Sequence, residues 1–260
     1  MKPRGNPFEA RSARAFSLIE LIGVLAIMAI LASVLVPNVL KSIDRAAVKA
    51  EAETLGNLGD AAKLYLRDTS VEPTSANWST ALGTYASLNP TDLLTNRRHN
   101  SRIYVADPVA ANERALLVSS MRAGLALPSV SALSANFDAV WNWSDAGGIR
   151  PAGFAAVWDN ALDYLIVERI NYRSIYKTYF ATVVLNNASA TQTVSYQVAG
   201  ASPRLGDIAS GDPPISFILG PKDQLNLFRQ ANEQGLDYTF VGGGANQTFY
   251  FSDSGGWLPQ

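Results

Sequence analysis

The chain contains no cysteine. That excludes a disulfide framework, thiolate chemistry and Cys-ligated metals. It has one histidine, His99, so no multi-histidine metal site can form within one subunit. Any Ser–His–Asp hydrolase would have to use that residue, and no GxSxG motif accompanies it. Its neighbours in "TNRRHNSR", Arg97, Arg98 and Arg102, read with it as a solvated loop. Net charge is also scarce: 21 Lys and Arg stand against 22 Asp and Glu. Strong nucleic-acid binding is not expected of such a balance. From Leu21 to Val36 charge is missing altogether.

What occupies that stretch is "AFSLIELIGVLAIMAILASVLVP", Ala15 to Pro37, with Glu20 its one charged residue. About 20 apolar residues in a helix span a bilayer core of roughly 30 Å. Lys2, Arg4, Arg11 and Arg14 precede it against a single Glu9, which keeps the N-terminus cytoplasmic and sends the bulk of the chain across the membrane. An ordinary secretory signal has its small-residue cleavage site after the apolar run. Here the small residue, Ala15, comes before it. A carboxylate inside a membrane segment costs several kcal/mol and is a functional hypothesis by default. The plainer reading is a charge near the membrane edge that reaches back to water.

These residues, in this order, resemble the N-terminal motif of type IV pilins and type II secretion pseudopilins. The resemblance implies cleavage by a prepilin peptidase between Ala15 and Phe16, and N-methylation of Phe16. The family usually has Gly before the cut, where this chain has Ala15. Glu20 becomes the fifth mature residue. Four positions apart, Phe16 and Glu20 share one helix face, so the carboxylate can meet the new α-amino cation in its own chain or in a neighbour's. In the family the neighbour pairing guides assembly. The expected partners are other pilins or pseudopilins in a homo- or hetero-polymer, the peptidase, an inner-membrane assembly platform and the lipid bilayer. The expected location is the bacterial inner membrane, single-pass with a periplasmic head, followed by an extracytoplasmic filament. No enzymatic activity is expected. The alternative is a signal-anchored periplasmic binding or enzymatic domain that does not polymerise.

Pro37 should kink or loosen the helix, because it lacks an N–H and crowds the preceding turn; the other reading ends the span there. Beyond it, Ile43, Ala47, Ala50, Thr54, Leu58, Ala61 and Tyr65 recur at steps of three and four, one face of an amphipathic helix. Lys41, Asp44, Lys49, Glu51, Glu53 and Lys63 fall mostly off it. The spacing predicts one helix from about Ser17 to Asp68, bent near Pro37. The expected organisation is a leader at 1–15, a membrane and filament-core helix at 16–37, and its amphipathic half at 38–68. A mixed region follows at 69–161, and an antiparallel sheet region at 162–260. The fold class is therefore α+β, a long N-terminal helix packed on an antiparallel head, as the pilin resemblance also implies.

Within 69–161, "NWSTALGTYASL" and "PTDLLT" read as short helices, "SRIYVAD" and "ERALLVSSM" as strands, and "LPSVSALSANFDAVWNWSDAGG" as loop. From Leu162 on, β-branched and aromatic runs such as "KTYFATVVLNN" and "TQTVSYQVAG" read as strands. "NNAS", "SGDPP" and "GGGAN" read as turns, the last as a hairpin turn. Asp207, Asp212 and Asp253, in Gly-rich loops, are candidate calcium ligands, since such loops offer oxygen donors; turn-forming aspartates are the alternative. Trp141, Trp143, Trp158 and Trp257 suggest either an adhesive surface or filler beside a sheet.

Overall fold

The computed structural model describes residues 18–200 and 203–260. Two compact units meet in sequence between Ala47 and Val48. Helix α1 (Leu18–Thr69) is continuous through Pro37, so the helical reading holds over the described residues 18–68 and the helix does not end at the proline. In the second unit its buried stripe is Glu51, Leu55, Leu58, Ala62 and Leu66, again at steps of three and four. That stripe is rotated from the expected one. It keeps Leu58 and Ala61 but takes in Glu51, which sequence pattern put outside the buried face.

Next come α2 (Trp78–Ala86), α3 (Pro90–Leu93), β1 (Ile103–Ala106) and β2 (Arg114–Ser120), where the sequence suggests them. Then α4 (Val130–Ala135) and α5 (Phe137–Trp141) occupy the segment expected to be loop. Leu133, Phe137 and Val140, at steps of four and three, are buried there, a helical period too short to stand out among serines and alanines. β3 (Leu165–Asn171) completes an antiparallel sheet of order β1-β2-β3.

Register decides what each face of this sheet meets, because directly paired residues point the same way. Tyr104 pairs Leu117, and Leu117 pairs Glu168. This face, with Ala115 and Ile170, meets α1: a Cβ on Gly59 would lie 3.3 Å from Glu168 Oε1 and 3.5 Å from Ile170 Cγ1. Tyr104 also stacks on Trp78 of α2 (6.3 Å, 18°). The opposite face, Val105, Leu116 and Val118, joins Leu133, Phe137, Val140 and Trp158 in one core.

A helix, α6 (Arg173–Tyr179), interrupts the expected run of strands. After it come β4 (Ala181–Asn187), β5 (Val194–Ala199), β6 (Arg204–Ile208) and β7 (Ile215–Leu219). β8 (Gln224–Gln230), β9 (Gln234–Val241), β10 (Gln247–Ser252) and β11 (Gly256–Pro259) follow. They form two four-stranded sheets, β11-β10-β4-β7 and β6-β5-β8-β9. All pairings are antiparallel except β4 with β10, which is parallel. "NNAS", "SGDPP" and "GGGAN" each carry the chain from one sheet to the other, so "GGGAN" is a crossover and not a hairpin turn. Gly244 within it has φ of +72°, and a Cβ there would sit 2.7 Å from Thr178 O, which only glycine tolerates. The inner faces share one core, including Val183 and Leu185 of β4, Leu225 and Leu227 of β8, and Phe249 and Phe251 of β10. The architecture is α+β: a long N-terminal helix, packed through its C-terminal half against a largely antiparallel β head.

Candidate functional site

The cleavage positions Ala15 and Phe16 lie outside the described residues. Glu20 stands in the first described turn of α1, where the helix dipole favours a carboxylate. Around and after it, the large apolar side chains described from Leu18 to Ile43 are 46–80% exposed. Burying one Leu or Ile contributes about 1.5–3 kcal/mol, and exposed apolar surface of this extent marks a membrane or protein contact. The described part of this segment is long and apolar enough to cross a bilayer. Within it, Pro37 offers no N–H to the carbonyl of Ser33, and Ser33 Oγ donates to Ile30 O at 2.7 Å.

The other end of α1 is fixed by charge. Arg102, just before β1, forks onto Glu51: Nε donates to Oε1 at 2.6 Å and Nη2 to Oε2 at 2.8 Å. The side chains are 6% and 3% exposed. Nη1 donates to the carbonyls of Asp92 and Leu93, both at 3.2 Å. Arg102 is therefore not part of a solvated loop. Its fork matches a carboxylate in two parallel bonds, and that compensates for desolvation. Sequence pattern alone missed this pair, because a glutamate on a helix ordinarily marks the wet face.

Just past α1, Glu72 accepts from Tyr176 Oη at 2.9 Å. Burial raises its pKa above the usual carboxylate range; the Tyr176 hydrogen bond opposes this, and the carboxylates of Glu113 and Asp107 reinforce it. Burial likewise raises the pKa of Tyr104 and Tyr172, whose hydroxyls share a 2.8 Å bond.

The three candidate calcium aspartates are not brought together. Asp207 on β6 accepts from Asn232 N at 3.4 Å. Asp212 closes its own turn, accepting from Ala209 N at 2.7 Å. Asp253 accepts from Ser189 Oγ. No group of three or more His, Asp or Glu that could hold a metal occurs among the described residues. His99 is exposed, with φ of +59°. It sits on a turn pinned to the end of β2 by Asn96 and Asn100, whose amides donate to Ser120 O, each at 2.7 Å. Of the four tryptophans singled out, Trp158 and Trp257 are core residues, 1% and 2% exposed. Trp141 and Trp143 are half-buried.

Comparisons with known proteins add one positive finding. A model of the prokaryotic N-terminal methylation motif matches residues 10–36. No curated protein matches. Solved structures align only loosely. For pneumolysin the identity is 10%, over 54% of this chain and 44% of that one, with a TM-score of 0.18. A non-hemolytic pneumolysin from Streptococcus pneumoniae strain ST306 gives 9%, 56%, 46% and 0.19. A disulfide-locked intermedilysin with human CD59 gives 11%, 66%, 50% and 0.19. The chain spans about half or less of each, and scores this low do not amount to a shared fold. The finding that holds is at the N-terminus: the chain carries, over residues 10–36, the prepilin-type methylation motif typical of type IV pilins and pseudopilins.

Proposed function

We propose that this chain is a structural subunit of a type IV pilus-like or type II secretion filament. It is cut between Ala15 and Phe16 by a prepilin peptidase and methylated on Phe16. Its helix anchors it in the inner membrane with the head periplasmic. Subunits then leave the bilayer and pack helix against helix, with the heads outside. Glu20 meets the α-amino cation of a neighbouring Phe16 and sets register, and Pro37 lets the helix bend during packing. The single observation that carries this reading is the methylation motif at 10–36 opening directly onto an exposed apolar helix.

Two measurements test it. The intact mass and N-terminal sequence of protein from its own cell envelope should give an N-methylated Phe16 as the first residue; a chain that still starts at Met1 points instead to a plain membrane anchor. Glu20→Ala should leave membrane insertion intact and shift head stability by no more than about 0.5 kcal/mol, yet abolish sheared filaments. Normal filaments from that variant would sink the assembly role of Glu20.

A further inference from the structure

Trp141 and Trp143 border an open groove of about 580 Å³, within the roughly 300–1,000 Å³ of small-molecule sites. Val48 and Ala52 of α1 line one part of it. Both tryptophans are held in position. Arg169 of β3 donates through Nε to Trp141 O at 2.6 Å and through Nη2 to Trp143 O. The Trp143 indole N–H is committed to Ile149 O at 2.7 Å. The Trp141 ring stacks on Phe137 (5.9 Å, 16°) and carries the Arg114 guanidinium 4.8 Å from its centroid. Rings fixed this way lose little freedom when a ligand arrives.

The rim is polar and acidic. Asn142, Ser144, Asp145 and Asp163 are exposed and line the groove. Neither Asp145 nor Asp163 has an ion-pair partner among the described residues. Among the described residues the one cation lining the groove, Arg169, is committed to backbone carbonyls. Fixed aromatic rings, charged acceptors and no available cation do not suit a phosphate or a carboxylate. They suit a neutral ligand with an apolar C–H face and a rim of hydroxyl donors.

We propose that this groove binds a neutral, unbranched oligosaccharide. One pyranose ring lies with its C–H face on the tryptophan pair, drawn to the negative face of the indole. Its hydroxyls donate to Asp145 and Asp163 in charge-assisted hydrogen bonds. A quaternary ammonium also binds aromatic rings beside carboxylates, but it is compact, whereas this groove is wide and edged with amide and hydroxyl groups. The proposal does not rest on the filament reading.

The test uses the full chain in polyoxyethylene-ether micelles, free of sugars and ammonium groups. Maltotriose, cellotriose and N,N′,N″-triacetylchitotriose, all neutral, are titrated while tryptophan emission is followed. Trp78, Trp158 and Trp257 are 4%, 1% and 2% exposed, so a ligand-dependent change reports Trp141 and Trp143. At least one trisaccharide should give a saturable change. Trp143→Ala should weaken it by about tenfold or more, equivalent to about 1.4 kcal/mol. Asp145→Ala, in an exposed turn, should weaken it several-fold with an unchanged Tm, which separates lost binding from lost folding. No saturation with any trisaccharide at millimolar concentration overturns the proposal. So does unchanged affinity in Asp145→Ala and Trp143→Ala, and so does saturation by tetramethylammonium alone.

Discussion

Glu20 and Glu51 stand on one helix in opposite surroundings. Glu20 opens a segment whose described large apolar side chains are exposed. Glu51 is 4% exposed and held by a two-point bond from Arg102. The residue type is the same, so the difference lies in where the counter-charge comes from. For Glu51 it is supplied by the fold, from a loop that packs on the helix. For Glu20, on the filament reading, it is supplied by processing, as the amino group that cleavage exposes on Phe16. On that reading one carboxylate fixes a helix within a subunit, and the other joins subunits. The two should fail differently.

The largest effect should come from removing the cation of the inner pair. Arg102→Ala leaves Glu51 buried without its partner and deprives the Asp92 and Leu93 carbonyls of a donor. Losing one member of a buried pair costs about 3–5 kcal/mol, read as a shift in the urea unfolding midpoint of the micellar protein at constant m. Glu51→Leu with Arg102→Met, which replaces both charges by apolar groups, should recover most of that loss. Arg102→Lys should recover only part, because an ammonium cannot make the fork. If Arg102→Ala moved stability by less than about 0.5 kcal/mol, the contrast with Glu20 would collapse.

A third carboxylate sharpens the comparison. Glu72 lies just beyond α1, and burial, more than its neighbours Glu113 and Asp107, raises its pKa, with the Tyr176 hydrogen bond pulling the other way. A raised native pKa means the folded state holds the proton more tightly. That contribution to stability is full below the unfolded carboxylate's value of about 4.3 and is lost as pH climbs through the raised native value. Glu72→Gln keeps an acceptor for Tyr176 and removes the titration. Wild type should therefore fall behind Glu72→Gln in Tm as pH rises from about 4. A gap that stays constant from pH 4 to 8 would mean that folding does not raise the Glu72 pKa.

Long-period features were legible in sequence, and pair-specific ones were not. Helix α1 could be read because apolar residues repeat along its whole length, and the motif ahead of it because several residues agree in order. The strands of the sandwich showed through their β-branched runs. Helices α4 and α5 did not, since six and five residues hold barely a turn and a half of pattern. The parallel pairing of β4 with β10 depends on a partner over fifty positions away, which no local pattern encodes. Arg102 is the sharpest case. In "TNRRHNSR" it looks like its neighbours, and only the approach of the helix separates it from them.

The smallest effect lies in the two glycines of the amphipathic half of the helix, Gly56 and Gly59, which sequence alone treats as equal costs. Glycine in a helix interior is about 0.8–1 kcal/mol worse than alanine. A Cβ on Gly56 meets nothing within 4 Å, so Gly56→Ala should gain close to that amount. At Gly59 the new Cβ would lie 3.3 Å from Glu168 Oε1 and 3.5 Å from Ile170 Cγ1. Ile170, 0% exposed in the sheet face under the helix, is then in ordinary contact, and the tight neighbour is the Glu168 carboxylate, which has to give by a few tenths of an ångström. Gly59→Ala should therefore gain less than Gly56→Ala, and Gly59→Leu should lose about 1–3 kcal/mol through overpacking. Urea midpoints for the three variants measure how closely α1 approaches β3. Equal gains at both alanine positions would mean the helix sits further from the sheet than this packing requires, and Glu51 and Arg102 would then be holding it across a looser contact.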